Sequence, residues 1–428
     1  MLGWLSIVRL GLVQMALGSV VVLTTSTLNR LMVVELALPA VLPGLLIALH
    51  YGIQLTRPNW GFLSDTGGHR TRWIIGGMIA LSLGAVGATI GVVLFETSFA
   101  AGMVLSILAY ALIGVGVGAS GTSLLALLAC ATAPRHRAAA ATITWLMMIA
   151  GIAITAGTVG AFLDPYSPAL LLRIVGVVAT GAVLVTALAV WGVEKTVKIQ
   201  PKPDEKMRFR EGLNEIWAEP AARNFTIFVF VSMTAYFMQE LILEPFAGLV
   251  FGFTPGQSTS LSGAQNGGVF VGMLTVGIMA TGLRLGNLRS WVVAGCTGSA
   301  GCLILISVLG EISVPSTLLP AVVALGFFNG MFAVAAIGSM MALAAQGREA
   351  REGTRMGLWG AAQALAAGFG GLTGAAAVDV MRMFTVSDAT AFGAVFLLEA
   401  ALFIFAALIA LRVLEGRQGY QAAIVPGE

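Results

Sequence analysis

The twelve residues GFLSDTGGHRTR, Gly61 to Arg72, separate two long apolar runs and hold a dense set of turn formers and charges. Gly67 and Gly68 take φ > 0 without steric cost, so the chain can reverse tightly between two helices. Asp65 is placed to accept from the first free N–H groups of a following helix. Arg70 and Arg72 are expected to stay in water on the membrane face that retains positive charge. Gly, Asp and Arg are also ordinary in any hydrophilic hairpin, but the four matched spacings of Gly61-x-Leu63-x-Asp65-x-x-Gly68-x-Arg70-x-Arg72 in one loop carry weight of their own.

That chain is membrane-embedded by composition. Apolar residues make up 58% of the 428 and charged residues 10%, with a mean hydropathy of +0.93. A soluble domain carries roughly 25% charged residues. The net charge of +3 is too balanced to imply a nucleic-acid partner. Cys130, Cys296 and Cys302 lie inside apolar runs with no paired ligand spacing, which suits packing better than a disulfide or zinc site. Met1 to Gln14 holds Trp4, Leu5, Ile7 and Val8 near a lone Arg9, with no cleavage pattern, so no removable signal is expected. The segment reads as a short interfacial helix before the first span.

A span needs about 20 apolar residues. On that rule the spacing predicts an all-α integral membrane fold of twelve spans. Six fall near 10–29, 37–56, 73–95, 99–132, 138–162 and 169–192, and six near 223–248, 261–284, 290–310, 315–346, 356–378 and 389–413. The domain reading is a six-helix bundle over 1–193, a cytoplasmic linker over 194–222 and a second bundle over 223–428. One amphipathic surface helix is expected in the linker around Phe209 to Trp217. Counted on alternate loops, twenty of the 23 Lys and Arg fall on one side, and only Arg30, Arg173 and Arg382 on the other. A wrong helix count would scramble this parity, so both termini are expected in the cytoplasm.

The halves repeat. The stretch from Gly114 (GVGVGASGTSLLALLACATAPRHR) is echoed from Gly326 (GFFNGMFAVAAIGSMMALAAQGRE), Asp164 and Asp379 fall at matching span ends, and Glu35 matches Glu244. The loop quoted above resembles the signature loop between the second and third helices of the major facilitator superfamily, whose fold is two pseudo-symmetric six-helix bundles. Its second-half counterpart, GLRLGNLRS, is degenerate. Two longer blocks, Thr24 to Gly61 and Gln239 to Met273, resemble the PucC/LhaA family, the bacteriochlorophyll delivery branch of that superfamily. The likeness extends from about Leu5 to Leu414. The short termini resemble a sub-branch labelled an accessory chain of bacteriochlorophyll synthase.

The resemblance implies a role in handling or delivering (bacterio)chlorophyll for light-harvesting assembly. It implies no obligatory cofactor, with bacteriochlorophyll a or an esterified precursor as the ligand to expect. The partners implied are light-harvesting apoproteins or the reaction-centre antenna complex, with bacteriochlorophyll synthase and related pigment enzymes as further candidates. The location implied is a bacterial inner, intracytoplasmic membrane.

Ionisable side chains inside spans cost roughly 2.5–3.5 kcal/mol or more, so each needs a reason. His50 lies well inside the second span, and a neutral imidazole is a good axial ligand for a porphyrin-bound metal. Gln265 and Asn266 stand at a matching place in the eighth span, with amide oxygens suited to magnesium. The competing reading for His50 is an interhelical hydrogen bond. Arg30, Glu35, Glu240 and Glu244 are expected near the non-cytoplasmic face, as a charged latch between bundles or as proton carriers. Glu399 falls near the centre of the last span, where it would hydrogen-bond to a facing helix as the neutral acid. Trp145, Trp359, Phe327 and Phe328 are candidate surfaces for a prenyl tail.

Gly116-x-Gly118-x-x-Gly121 matches a dinucleotide fingerprint but lies in an apolar helix with no acid following at the required distance; it reads as close helix packing, as do Gly114 with Gly118 and Gly370 with Gly374. The five aspartates form no cluster that could hold magnesium on a diphosphate, and no nucleophile–base set falls in a plausible pocket. No catalysis is expected of this chain alone. A conventional proton-coupled facilitator, or a non-catalytic subunit of the prenyl-transfer machinery, are the alternative functions.

Overall fold

The computed structural model describes residues 3–57, 60, 70–132, 137–194, 217–283, 285–345, 352–385 and 387–413. Among these residues the chain forms twelve principal helices and no strand. The first half holds α1 (Trp4–Glu35), α2 (Val41–Thr56), α3 (Arg70–Leu94), α4 (Phe99–Ala131), α5 (Arg137–Phe162) and α6 (Pro168–Val190). The second holds α7 (Pro220–Phe251), α8 (Pro255–Val276, with a π turn to Gly282), α9 (Leu288–Ile312), α10 (Pro315–Ala345), α11 (Glu352–Phe384) and α12 (Asp388–Val413). Ten of the twelve are long and apolar enough to cross a membrane. The other two are α2, which is short, and α8, whose opening PGQSTSLSGAQNGG is too polar to register by hydropathy.

The halves pack alike. In the first, α1 lies against α5 and α6, α3 against α4 and α6, and α2 against α4; in the second, α7 lies against α11 and α12, α9 against α10 and α12, and α8 against α10. Each half has its own apolar core. With no hydrophobic drive between helices in lipid, small residues that let backbones approach carry much of this packing. Gly77, Gly84 and Gly91 on α3 recur every seven residues. A Cβ on each would come within 2.5–2.7 Å of Ser120, Ile113 and Ser106 on α4, which recur at the same interval. Gly116 closes the same seam from the other side, where a Cβ would meet Leu81 N at 2.4 Å, as expected for close helix packing. On α8 and α10, Gly272 and Gly326 face Phe327 O and Gln265 O so closely that a Cβ would lie 2.0 Å away.

Three expectations need correction. No separate interfacial helix precedes the first span: Trp4 to Glu35 is one continuous helix with π turns at Leu23–Thr27 and Leu31–Glu35. Arg70 is not held in water. It is 6% exposed, beneath the end of α6, whereas Arg72 is exposed. Glu240 and Glu244 do not border a polar edge, because α7 continues to Phe251 and places Glu240 about 16 Å inward from its end. Gly61, Asp65 and Gly68 lie outside the described residues, as does nearly all of the expected linker helix. The helix start assigned to Asp65 is served by Glu194, whose carboxylate accepts from Arg70 N at 2.8 Å and Thr71 N at 3.2 Å.

Candidate functional site

The bundles meet along two seams, α5 against α8 and α2 against α11, with α1 and α7 between them. The stretch TTSTLNR of α1, Thr24 to Arg30, is buried throughout and faces that junction. Six polar side chains in seven residues of a membrane helix each require a partner, and across the junction most find one. Ser26 donates to the Glu244 carboxylate through a short contact, and its Oγ can accept from the Ser262 hydroxyl at 3.0 Å. Thr27 and Thr259 share a hydrogen bond of 3.3 Å. Within the first bundle, the Tyr110 hydroxyl donates to Thr24 O at 2.8 Å.

Asn29 answers a defect in α7. Pro245 lies inside that helix and has no N–H, so the carbonyl four residues earlier, Leu241 O, loses its helical donor. Asn29 Nδ2 donates to that carbonyl at 2.7 Å. Arg30, 2% exposed, bonds Glu35 at 2.5 Å and Phe253 O, in the second half, at 2.7 Å. The guanidinium thus neutralises an acid on its own helix and fills a carbonyl beyond the end of α7.

The end of the molecule opposite Trp4 and Val413 is closed by two aspartates in pseudo-symmetric places. Asp164, just past α5, accepts from Thr254 Oγ1 at 2.5 Å and Gly256 N at 3.1 Å, at the start of α8. Asp379, near the end of α11, accepts from Ala40 N at 3.1 Å and Val41 N at 2.7 Å, at the start of α2. Each carboxylate satisfies orphan N–H groups at a helix start in the other bundle and meets the positive end of its dipole. The repeat had marked these aspartates as equivalent without giving them a task. The signal that could have done so is PAVLP at α2, a helix start with no side-chain cap of its own, and PGQS at α8, where the Thr254–Gln257 capping box leaves the Gly256 N–H over.

Behind the aspartates lies a narrow cleft lined by Thr25, Ile47, Tyr51, Phe237, Glu240, Leu241, Ala367 and Gly371. It is closed down to less than the room of one water molecule, so it is no preformed small-molecule cavity. Glu240 is its one charged lining residue, close enough to Tyr51 and Tyr236 to interact with them electrostatically. Tyr51 and Phe237 face each other with ring centroids 5.9 Å apart.

The other expected site residues fall elsewhere. His50 is buried on α2 facing α4, where a Cβ on Gly114 would lie 2.7 Å from His50 O. Gln54 Oε1 accepts from Arg57, which turns its Nε2 toward His50 Nε2 at 2.9 Å; His50 Nδ1 has no partner among the described residues. With Gln54 Nε2 donating to it, the ring nitrogen that carries the lone pair is already engaged. Asn266 donates back to Ser262 O at 3.0 Å, and Gln265 lies in the α8–α10 seam. The structure does not gather His50, Gln265 and Asn266 into one site. Arg30, Glu35 and Glu244 do meet at the junction, while Glu240 lines the cleft. Glu399 is fully buried with neither oxygen hydrogen-bonded among the described residues, so the facing-helix bond expected of it is not formed. Trp145 packs on Ile149 between α5 and α8, Phe327 and Phe328 pack against α8 and α9, and the Trp359 side chain is outside the described residues. None of these lines the cleft.

Two six-helix bundles with matching internal contacts, joined at α1–α7 and two lateral seams, define a multi-pass membrane protein of the major facilitator fold. A peptide transporter solved with sulfate has the same architecture, with a TM-score of 0.72 at 13% identity, covering 97% of this chain and 96% of that one. A bacterial homologue of the human lysosomal transporter Spinster matches with a TM-score of 0.70 at 14% identity, covering 96% of each. Within that fold, the PUCC protein family model matches residues 27–418, and the chain belongs to this family. It is 66% identical, over 97% of both chains, to the protein called bacteriochlorophyll synthase 44.5 kDa chain of Rhodobacter capsulatus. It is 30% identical to Protein PucC of Cereibacter sphaeroides, over 95% of this chain and 91% of that one.

Proposed function

We propose that the chain binds (bacterio)chlorophyll or an esterified precursor and hands it on during assembly of light-harvesting complexes, without catalysing a reaction itself. The observation that carries this reading is the lining of the inter-bundle cleft. Two aromatic rings, aliphatic side chains, one threonine and a single carboxylate suit a greasy macrocycle with a polar centre better than a sugar or a salt. Glu240 offers the oxygen donor that magnesium favours, and Tyr51 and Phe237 offer faces for a flat ring. The cleft is smaller than such a ring, so loading requires the bundles to part. The names of its relatives, one a bacteriochlorophyll synthase chain and others PucC proteins, support the same pigment setting. In that setting the membrane is the bacterial inner membrane with both termini cytoplasmic, and the partners are antenna apoproteins and pigment-synthesis enzymes.

The test is an absorption spectrum. The protein purified gently from a pigment-making cell carries near-stoichiometric tetrapyrrole, and Glu240→Ala together with Tyr51→Ala reduces it. A wild-type preparation free of tetrapyrrole, or uptake of a small polar solute into proteoliposomes dependent on Glu240, would replace this reading with a conventional transporter.

A further inference from the structure

The two lateral seams between the bundles are built differently, although the repeat makes them equivalent. Along α5 and α8 the backbones touch. A Cβ on Gly263 would come within 2.5 Å of Gly157 N, one on Gly160 within 2.5 Å of Ser260 N, and one on Gly256 within 2.6 Å of Gly160 O. No side chain fits there, and farther along Trp145, Ile149, Val269 and Met273 continue the closure. Along α2 and α11 the helices stand farther apart. A Cβ on Gly44 would meet Ala375 Cβ at 3.1 Å and Leu372 Cα at 3.6 Å. One on Gly368 would meet Tyr51 Cβ at 3.3 Å and Ala48 at 3.8–3.9 Å. Those are tight to ordinary contacts, not collisions.

The cleft lies behind this looser seam. Ile47 and Tyr51 of α2 and Ala367 and Gly371 of α11 line it, whereas no residue of α5 or α8 does. Ala48 and Gly368, which meet in the seam, directly follow Ile47 and Ala367 of the cleft lining, so cleft and seam adjoin along both helices. We propose that the α2–α11 seam is a lateral portal. Through it a membrane-dissolved amphiphile, a flat macrocycle bearing a hydrocarbon tail, slides its ring from lipid into the cleft while the tail stays between α2 and α11. Tyr51 and Phe237 stand as the gate and Glu240 and Thr25 as the polar end of the path. Asp379, bonded to the start of α2, holds one end of the seam shut and makes the other end the one that swings. This proposal rests on the pigment reading for the identity of the ring, but not for the route.

The test places cysteines at Gly44 and Ala375. The Cβ separation is a few tenths of an ångström below that of a natural disulfide, a gap small relaxation closes. The Gly44→Cys/Ala375→Cys protein, reconstituted in liposomes, is offered bacteriochlorophyll a from donor vesicles, and loading is followed by its absorption shift. Oxidation is expected to slow loading about tenfold or more, and dithiothreitol to restore it. Pigment that loads equally into the oxidised and reduced forms would overturn the portal. A ring-free photoreactive phytyl probe dissolved in the bilayer supplies a second measurement, on wild-type protein. Labelling of Tyr51, Phe237 or Ala367 supports the portal even if no pigment loads, a result that would sink the pigment reading alone. Labelling confined to Trp145, Ile149 or Met273 would overturn the portal whatever the pigment does.

Discussion

The hydrogen bond from Asn29 to Leu241 O makes a quantitative claim, because its acceptor is free only on account of Pro245. Replacing Asn29 by Leu leaves a carbonyl buried and unpaired. In proteins generally such a group costs about 1–3 kcal/mol, while interhelical hydrogen bonds in membranes have measured nearer 0.6 and at most about 1.7 kcal/mol. Asn29 is 1% exposed and the bond is short at 2.7 Å, so a loss of about 1–1.5 kcal/mol is expected, toward the upper end of the membrane range. In a Pro245→Ala background the new N–H restores the helical bond to Leu241 O, and the same Asn29→Leu change should then cost less than about 0.5 kcal/mol. The double-mutant cycle therefore carries a coupling of about 0.5–1.5 kcal/mol. It is read from SDS-induced unfolding in mixed micelles, followed by far-UV circular dichroism. An Asn29→Leu cost unchanged by Pro245→Ala would refute the assignment of Asn29 to the proline defect.

Three other consequences follow from the contacts above. Asp164→Ala and Asp379→Ala each remove a cap between bundles, costing about 0.5–2 kcal/mol of the closed arrangement. Cysteines placed at Thr254 or Ala40 should then react faster with a water-soluble maleimide, and no change in rate would show that the caps do not hold that end shut. Gly326→Ala drives a Cβ to 2.0 Å from Gln265 O and should destabilise the α8–α10 seam by about 1–3 kcal/mol or abolish folded yield. Gly301→Ala, with open space around it, should be neutral or stabilising by up to about 1 kcal/mol, and detergent thermostability compares the two. Glu194→Ala uncaps α3 and should cost about 1 kcal/mol, measured as a lower midpoint in the same SDS titration.

The gross architecture was legible because lipid imposes long apolar helices and because charge parity punishes a wrong count. The repeat from Gly114 to Gly326 and the Asp164–Asp379 equivalence pointed to two matching bundles. What sequence reasoning missed lies where polar residues hide inside helices. Arg9 and the run TTSTLNR made α1 look shorter than its 32 residues. The serines, threonines and glutamine after Pro255 hid the start of α8. In both places several of these side chains, Ser26, Thr27 and Asn29 on α1 and Thr259 and Ser262 on α8, have partners across the junction, far away in the chain. Glu240 was set too near an edge for a related reason: with α7 ended at 248 instead of 251, its depth was underestimated. Pro245 was the available clue, since a proline inside an apolar helix implies a free carbonyl at 241 and a donor that must reach it.

The two halves share a scaffold but divide the labour at the centre unevenly. With Glu35 set opposite Glu244, the place of Arg30 on α1 corresponds to Gln239 on α7, and that of Asn29 to Met238. The bridging donors are thus concentrated on α1, while α7 supplies acceptors: the Leu241 carbonyl, the Glu244 carboxylate and, just past its end, the Phe253 carbonyl. A donor helix facing an acceptor helix can keep the bundles attached along one line while the seams on either side change. Of those seams, α5–α8 brings its backbones into contact at Gly157–Gly263 and Gly160–Gly256, whereas α2–α11 is held apart by side-chain contacts such as Ala375 against Gly44. Motion that preserves the central line and the tight seam must therefore open the loose one. That sets the cleft at Glu240 in communication with lipid, and for a ligand carrying a hydrocarbon tail such an exit avoids drawing the tail through water.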